Sequence, residues 1–107
     1  MEFSQLEAFL EAASRGSFRR AADALYLSQP SVSARVQTLE DEVGVILFQR
    51  TARGVRLTDM GRTFLPFAHR SMETLRRGRE VLESVRQTSA GILNMATARV
   101  IGTYVLP

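Results

Sequence analysis

The stretch SQPSVSARVQTLE, residues 28–40, combines a proline with a helical pattern of apolar residues. The apolar positions recur at helical spacing on one face: Val32, Val36 and Leu39. Pro30 is compatible with a first helical turn, because the amides of that turn have no partner within the helix. We therefore predict a helix from about Gln29 to Val43, capped by Ser28 and stopped by Gly44, whose first half presents small and polar side chains on the other face.

Two shorter helices are predicted before this one, from apolar residues spaced i, i+3, i+4, i+7. Ser4 and Glu7 form a capping box for the first helix, and Gly16 is its stop signal. Ser17 is the predicted cap of the second helix. Because only Tyr26 and Leu27 separate the second helix from Ser28, the order helix, short turn, helix indicates a DNA-reading helix-turn-helix.

A β-hairpin is predicted next, from two β-prone segments, residues 45–50 and 55–57, around a small loop that contains glycine. Arg53 lies at the predicted tip, with Arg50 and Arg56 beside it. A short basic hairpin that follows a helix-turn-helix is typical of a wing.

A helical pattern then runs from its predicted cap, Thr58, to about Thr88, which is too long to be buried in so small a domain. Its apolar seam alternates by four and three residues, the period of a coiled coil: Phe64, Ala68, Ser71, Leu75, Gly78, Leu82 and Val85. Pro66 predicts a kink or a local distortion near the start of this helix. A second copy of the chain is the simplest partner for the seam. Beyond it, residues 92–96 are predicted to form a strand.

Composition narrows the function classes. The 107 residues include no cysteine, which excludes disulfides and thiolate metal sites and suits a cytoplasmic location. The longest apolar run, residues 45–48, is too short to cross a bilayer, and the acidic, helix-patterned N-terminus differs from a signal peptide. His69 is the only histidine and has no second candidate ligand four residues away. No base is placed to activate a serine or threonine, so we predict that the chain is not an enzyme.

The charge of +3 is modest, but every lysine-or-arginine position is an arginine. A GC-rich genome explains this bias as well as a phosphate-binding function does. The distribution is more informative, because residues 15–36 hold four arginines and one acid, and the acidic cluster of residues 40–42 follows. A basic face with an acidic boundary favours a polyanion that is contacted locally.

The pattern AA-x-x-L-x-x-SQPSVS-x-x-x-x-x-LE-x-x-x-G-x-x-LF-x-R, with the segment TARGVRLTDMG after it, resembles the N-terminal part of LysR-type transcriptional regulators. The resemblance covers residues 1 to about 90, and the segment GILNMATARVIGTYVLP resembles the start of that family's effector-binding domain. It implies a mainly α fold: a winged helix-turn-helix of three helices plus a short β-hairpin wing, followed by a long dimerisation helix. We accordingly predict three parts: a DNA-binding domain (1–58), a linker and dimerisation helix (59–89) and the start of a truncated effector-binding domain (90–107).

The resemblance also suggests contact residues. The positions similar to the family's base-contacting ones are Gln29, Pro30, Ser33 and Ala34, and many relatives have arginine at position 34. The predicted contacts to the DNA backbone are Ser17, Arg19, Arg20, Ser31, Arg35, Gln37 and Arg50. Arg53 matches the position that enters the minor groove. Arg50 fits a structural role equally well, and ordinary capping is an alternative for Gln29, Ser31 and Ser33. The predicted dimer helix uses Phe64, Ala68, Leu75, Leu82 and Val85.

The resulting prediction is a sequence-specific regulator that binds an interrupted palindrome in double-stranded promoter DNA as a dimer or higher oligomer, with a tetramer expected at full length. No membrane, metal or cofactor is expected in this fragment, and an unknown small-molecule effector is expected for the C-terminal domain. The alternatives are a nonspecific architectural DNA-binding protein and a protein-interaction module.

Overall fold

The computed structural model describes the backbone of residues 1–92 and the side chains of residues 1–88. The chain divides into two compact units, Met1–Met72 and a second that begins at Glu73. The elements in chain order are α1 (Phe3–Arg15), α2 (Phe18–Leu25), α3 (Gln29–Val43), β1 (Phe48–Thr51), β2 (Gly54–Leu57) and α4 (Asp59–Ile92). The two strands form an antiparallel hairpin in which Phe48 pairs with Leu57 and Thr51 pairs with Gly54.

Short polar residues start three of the helices as predicted. The hydroxyls of Ser17, Ser28 and Thr58 each accept a hydrogen bond from the backbone N–H three residues later, at 3.1, 3.2 and 3.1 Å. The predicted stops of α1 and α3, Gly16 and Gly44, are both in the left-handed conformation. These local signals therefore fix both ends of α3, whose bounds agree with the prediction.

The predicted cap of α1 is wrong. Ser4 lies inside the first turn, and the N-cap is Glu2, two residues earlier. The side-chain oxygen of Gln5 accepts a hydrogen bond from the backbone N–H of Glu2 at 3.1 Å. Because a glutamine at the third helical position can reach back in this way, the helix begins before the serine.

One hydrophobic core holds the first unit together. Its largest fully buried side chains are Phe9, Val32, Leu39 and Leu47. The ring of Phe48 packs 5.4 Å from that of Phe9 and 5.5 Å from that of Phe18, so the hairpin is joined to both α1 and α2. The start of α4 joins the same core through Phe64, whose ring lies 5.5 Å from that of Phe9. The predicted fold class, three helices with a β-hairpin wing and a long following helix, is confirmed.

Strand β1 begins at Phe48 and not at Val45, where the sequence pattern starts. The carboxylate of Glu40 accepts hydrogen bonds from the backbone N–H groups of Leu47 (2.7 Å) and Phe48 (3.2 Å). The carbonyl of Leu47 accepts from the amide of Thr58 at 3.0 Å. The amide of Leu47 is thus bonded to Glu40 and not to Thr58, the next residue opposite it in the register, so one backbone hydrogen bond of that pair is lost and the strand begins at Phe48.

Helix α4 is continuous through Pro66 and extends to Ile92, past the predicted end near Thr88. The predicted strand therefore does not begin at Ile92, since this residue is helical. Gly91 falls in the last turn, where a glycine weakens a helix without necessarily ending it. Residues 93–107, with the rest of that predicted strand, lie outside the described residues. Within residues 1–92, no helix is both long enough and apolar enough to cross a membrane.

The predicted dimer residues separate into two groups. Phe64 is half-buried and Ala68 is only 1% exposed, and both belong to the core of the first unit. Ala68 therefore has no surface left to offer to a second copy. In the second unit Leu75 and Leu82 are 56% and 71% exposed, and Val85 is half-buried. Their part in dimerisation stays a prediction.

Gly61 allows α4 to start against the segment before the wing. A Cβ added at this position would lie 2.2 Å from the carbonyl oxygen of Leu47 and 2.8 Å from Cδ2 of Leu57. The Leu47 backbone is held by hydrogen bonds on both sides, so it cannot move away freely. We predict that Gly61→Ala lowers the free energy of unfolding by about 2 kcal/mol, as overpacking does, in a urea titration followed by circular dichroism.

Gly78→Ala is the matched control on the same helix. No atom lies within 4 Å of a Cβ added there, so the substitution should raise stability by up to about 1 kcal/mol through helix propensity. Equal stabilities for the two variants would contradict the close approach at Gly61.

Tyr26 carries backbone strain in the turn between α2 and α3. Its φ is +57°, a conformation that β-carbon-bearing residues other than asparagine and aspartate rarely adopt, and its side chain is 95% exposed. Tyr26→Asn should therefore raise the free energy of unfolding by roughly 0.5–1 kcal/mol in the same titration. Tyr26→Phe keeps the strain and should leave stability unchanged. A loss of stability in Tyr26→Asn would show that the ring contributes more than the strain costs.

Candidate nucleic-acid interface

The first half of α3 presents an open polar surface. Its inward face is fixed by Val32, Val36 and Leu39, which are buried in the core. The side chains on the outer face are exposed: Gln29, Pro30, Ala34 and Gln37. Since no acidic residue occupies the first turn, the partial positive charge of the helix N-terminus is not neutralised there.

The serines at this end have internal hydrogen bonds. The hydroxyls of Ser28 and Ser31 lie 2.9 Å apart, and Ser28 also caps the helix. Ser31 is thus part of the cap, which agrees with the capping alternative. A contact between Ser31 and the DNA backbone stays a prediction. Ser33 lies two residues further on and is half-buried.

Helix α2 supplies a second N-terminus and two exposed guanidinium groups. Ser17 caps this helix, and Arg19 and Arg20 lie on its exposed first turn. Arg35, on the flank of α3, is half-buried. Among the side chains that the structure describes, none of these three arginines has an acidic partner within 4 Å. Their positive charge is therefore available to an external anion.

The hairpin places Arg53 at an exposed tip. The amide of Arg53 donates to the hydroxyl of Thr51 at 3.2 Å, and the same hydroxyl donates to the carbonyl of Gly54 at 3.2 Å. The amide of Val55 donates to the carbonyl of Gly16 at 3.0 Å, which fixes the hairpin to the turn before α2. This contact requires glycine at position 54, because an added Cβ would lie 2.2 Å from that carbonyl oxygen.

Arg50 links the hairpin to α3. Its guanidinium donates to the hydroxyl of Ser33 at 3.3 Å and lies 5.0 Å from the ring centroid of Phe18. A structural role for Arg50 was one of two alternatives from the sequence, but its partners lie 17 and 32 residues away in the chain and no local pattern indicates them. The one available signal was the spacing of Phe48 and Arg50, which puts both side chains on the same face of β1.

The first residue of the acidic cluster (residues 40–42) also stabilises the fold, which the sequence pattern does not indicate. Glu40 is half-buried and accepts two backbone hydrogen bonds from the segment before β1, as described above. Asp41 and Glu42 remain exposed, and the carboxylate of Asp41 accepts from the side-chain amide of Gln37 at 3.3 Å. Gln37, which is predicted to contact the DNA backbone, therefore points toward the acidic end of the surface.

The remaining titratable candidates do not gather into a site. His69 is exposed on α4. Within the described residues, no group of three or more histidine, cysteine, aspartate or glutamate side chains is arranged to hold a metal ion.

Three structural parts thus share one network of contacts: the polar start of α3, the arginine-bearing start of α2 and the hairpin. This arrangement defines a winged helix-turn-helix protein. The pattern of the family described as "Bacterial regulatory helix-turn-helix protein, lysR family" matches residues 3–62, more than half of the chain. The chain belongs to this family.

Comparison with individual proteins supports this family assignment. The chain is 41% identical, over all 107 of its residues and 74% of the other protein, to an uncharacterized HTH-type transcriptional regulator in the ibpB-leuC intergenic region of Azotobacter vinelandii. It is 38% identical over its full length to the HTH-type transcriptional regulator CitR of Bacillus subtilis, of which it spans 37%. Among solved structures, the CbnR_DBD–DNA complex is 38% identical, with a TM-score of 0.74 over 78% of this chain and 97% of that one.

Proposed function

We propose that this chain binds double-stranded promoter DNA in a sequence-specific manner, as the DNA-binding part of a LysR-type transcriptional regulator. The observation that carries the proposal is the exposed N-terminal half of α3, whose outer side chains are small or polar. Near it, on α2 and on the flank of α3, Arg19, Arg20 and Arg35 have no acidic partner within 4 Å among the described side chains. The relationship to CbnR_DBD, which was solved as a complex with DNA, supports it.

The contacts divide by chemistry. Gln29 and Ser33 would hydrogen-bond to base edges in the major groove, and Pro30 and Ala34 would make apolar contacts there. Alanine at position 34 has no hydrogen-bonding group, so it would contact a thymine methyl rather than guanine. The capped starts of α2 and α3, with Arg19, Arg20 and Arg35, would hold phosphates.

The whole protein is proposed to act as a dimer or higher oligomer. The exposed leucines of α4, Leu75 and Leu82, support a second copy as the partner of this helix.

The relatives are named transcriptional regulators, and we propose that this chain likewise acts in the cytoplasm and catalyses no reaction. A small-molecule effector of the whole regulator belongs to the proposal through the family resemblance, and we assign it no site within the described residues.

The decisive experiment is a binding titration on duplexes that the chain selects from a random pool. Fluorescence anisotropy at several salt concentrations should show that log K falls linearly with log salt, because phosphate contacts release counterions. A scrambled duplex should bind about 10³-fold more weakly than the selected one. Equal binding to both duplexes would favour a nonspecific architectural protein, and no binding to either would favour an interaction module.

Arg53 provides a test of the wing. The negative potential of the minor groove is strongest where A·T-rich DNA narrows it, so an inserted arginine gains most there. Arg53→Ala should weaken binding about tenfold on sites with A·T-rich flanks, equivalent to about 1.4 kcal/mol, and less on G·C-rich flanks.

Arg56→Ala removes the same charge from an exposed position on β2 and serves as the matched control. Its effect should not depend on the flanks. If Arg53→Ala loses the same affinity on both kinds of flank, minor-groove insertion is refuted.

A further inference from the structure

The hydrogen bond between Ser33 and the wing has a fixed direction. A guanidinium has five N–H donors and no acceptor, so the oxygen of Ser33 must accept in its 3.3 Å hydrogen bond with Arg50. A serine hydroxyl has one proton of its own, and that proton cannot be directed at Arg50. It must therefore be donated elsewhere or point into solvent.

The usual internal acceptor for a helical hydroxyl is the carbonyl four residues earlier. Thr38 and Thr63 donate in this way, to the carbonyls of Ala34 (2.9 Å) and Asp59 (3.0 Å). Within the described part of the chain, the hydroxyl of Ser33 has Arg50 as its only hydrogen-bond partner. Its proton thus has no internal acceptor, on the surface where α3 is open.

Arg50 is itself held in position by aromatic contacts. Its guanidinium lies 5.0 Å from the ring centroid of Phe18, which is buried. Phe48 packs edge-on against that ring, with the centroids 5.5 Å apart and an interplanar angle of 86°. Since Phe48 and Arg50 project from the same face of β1, the ring contact that joins the hairpin to α2 also directs the guanidinium toward Ser33.

We infer that Arg50 is a positioning residue that turns Ser33 into a hydrogen-bond donor toward DNA. Ser33 would then recognise an acceptor atom in the major groove, namely purine N7, guanine O6 or thymine O4. One lone pair of the Ser33 oxygen stays open, so acceptance from the amino group of adenine or cytosine is the competing mode, and the base analogues below distinguish it from donation. This inference rests on the proposed function and adds the polarity of one contact and the residue that sets it.

A double-mutant cycle tests the coupling on the selected duplex. Arg50→Met keeps an unbranched side chain against the Phe18 ring while it removes the donors. It should weaken specific binding about fivefold in the wild-type background, the effect of one hydrogen bond, and less than about twofold in a Ser33→Ala background. Arg56→Met, the matched loss of charge from the same hairpin, should have the same effect in both backgrounds.

Salt dependence separates this role from a phosphate contact. If Arg50 acts through Ser33, Arg50→Met should leave the slope of log K against log salt unchanged. Equal losses in both backgrounds, with a slope that is smaller by about one phosphate contact, would overturn the inference. A urea titration of each variant confirms that the proteins compared are folded.

Base analogues test the polarity directly. Base analogues remove one hydrogen-bonding group of the selected duplex at a time. The acceptor deletions use 7-deazapurines and analogues that lack guanine O6 or thymine O4. The donor deletions use analogues that lack the adenine N6 or cytosine N4 amino group. One acceptor deletion should weaken the wild type about fivefold and leave Ser33→Ala unaffected. If the deletion coupled to Ser33 removes an amino group, or if no deletion is coupled, the inference fails. Failure of the proposed function would look different, because the wild type itself would then not distinguish selected from scrambled DNA.

Discussion

The geometry of the candidate nucleic-acid interface depends on the packing of the Phe48 ring. This ring lies against Phe9 of α1 and Phe18 of α2, so it attaches the first strand of the hairpin to two helices at once. The same strand then carries Arg50 to Ser33 on α3. Because aromatic contacts are short-ranged and directional, a shift of this ring would move the hairpin relative to both α2 and α3. One apolar residue therefore controls the placement of polar residues that it does not contact.

Charged side chains in the first unit serve two purposes according to where they lie. Glu40 accepts two backbone amides and fixes the segment before the hairpin, whereas Asp41 and Glu42 remain on the surface. Arg50 packs against an aromatic ring, whereas Arg53 stands free at the tip. A charge pattern along the sequence cannot separate these roles, because each depends on groups that only the folded chain brings close.

Helix α4 also has two kinds of surface. Phe64, Ala68 and Met72 complete the core of the first unit, and Ala68 and Met72 are 1% and 3% exposed. Further along, Leu75 and Leu82 remain open to solvent. The alternation by four and three places Phe64 and Ala68 correctly but selects the exposed Ser71 in place of the buried Met72. It also cannot separate the two stretches, since burial against the chain's own core and burial against a second copy require similar spacing. The periodicity thus predicted the helix but not the partner of each position.

The sequence by itself determined the local features. Ser17, Ser28, Gly16 and Gly44 specify the ends of helices through hydrogen bonds and backbone conformations that involve only nearby residues, and apolar spacing specifies the buried faces. The sequence motif was specific enough to indicate the family. The tertiary structure alone decided the shortened β1, the internal role of Glu40 and the link from Arg50 to Phe18 and Ser33. The physical reason is that these contacts join residues that are 7 to 32 positions apart, and no local periodicity records which distant side chains will meet.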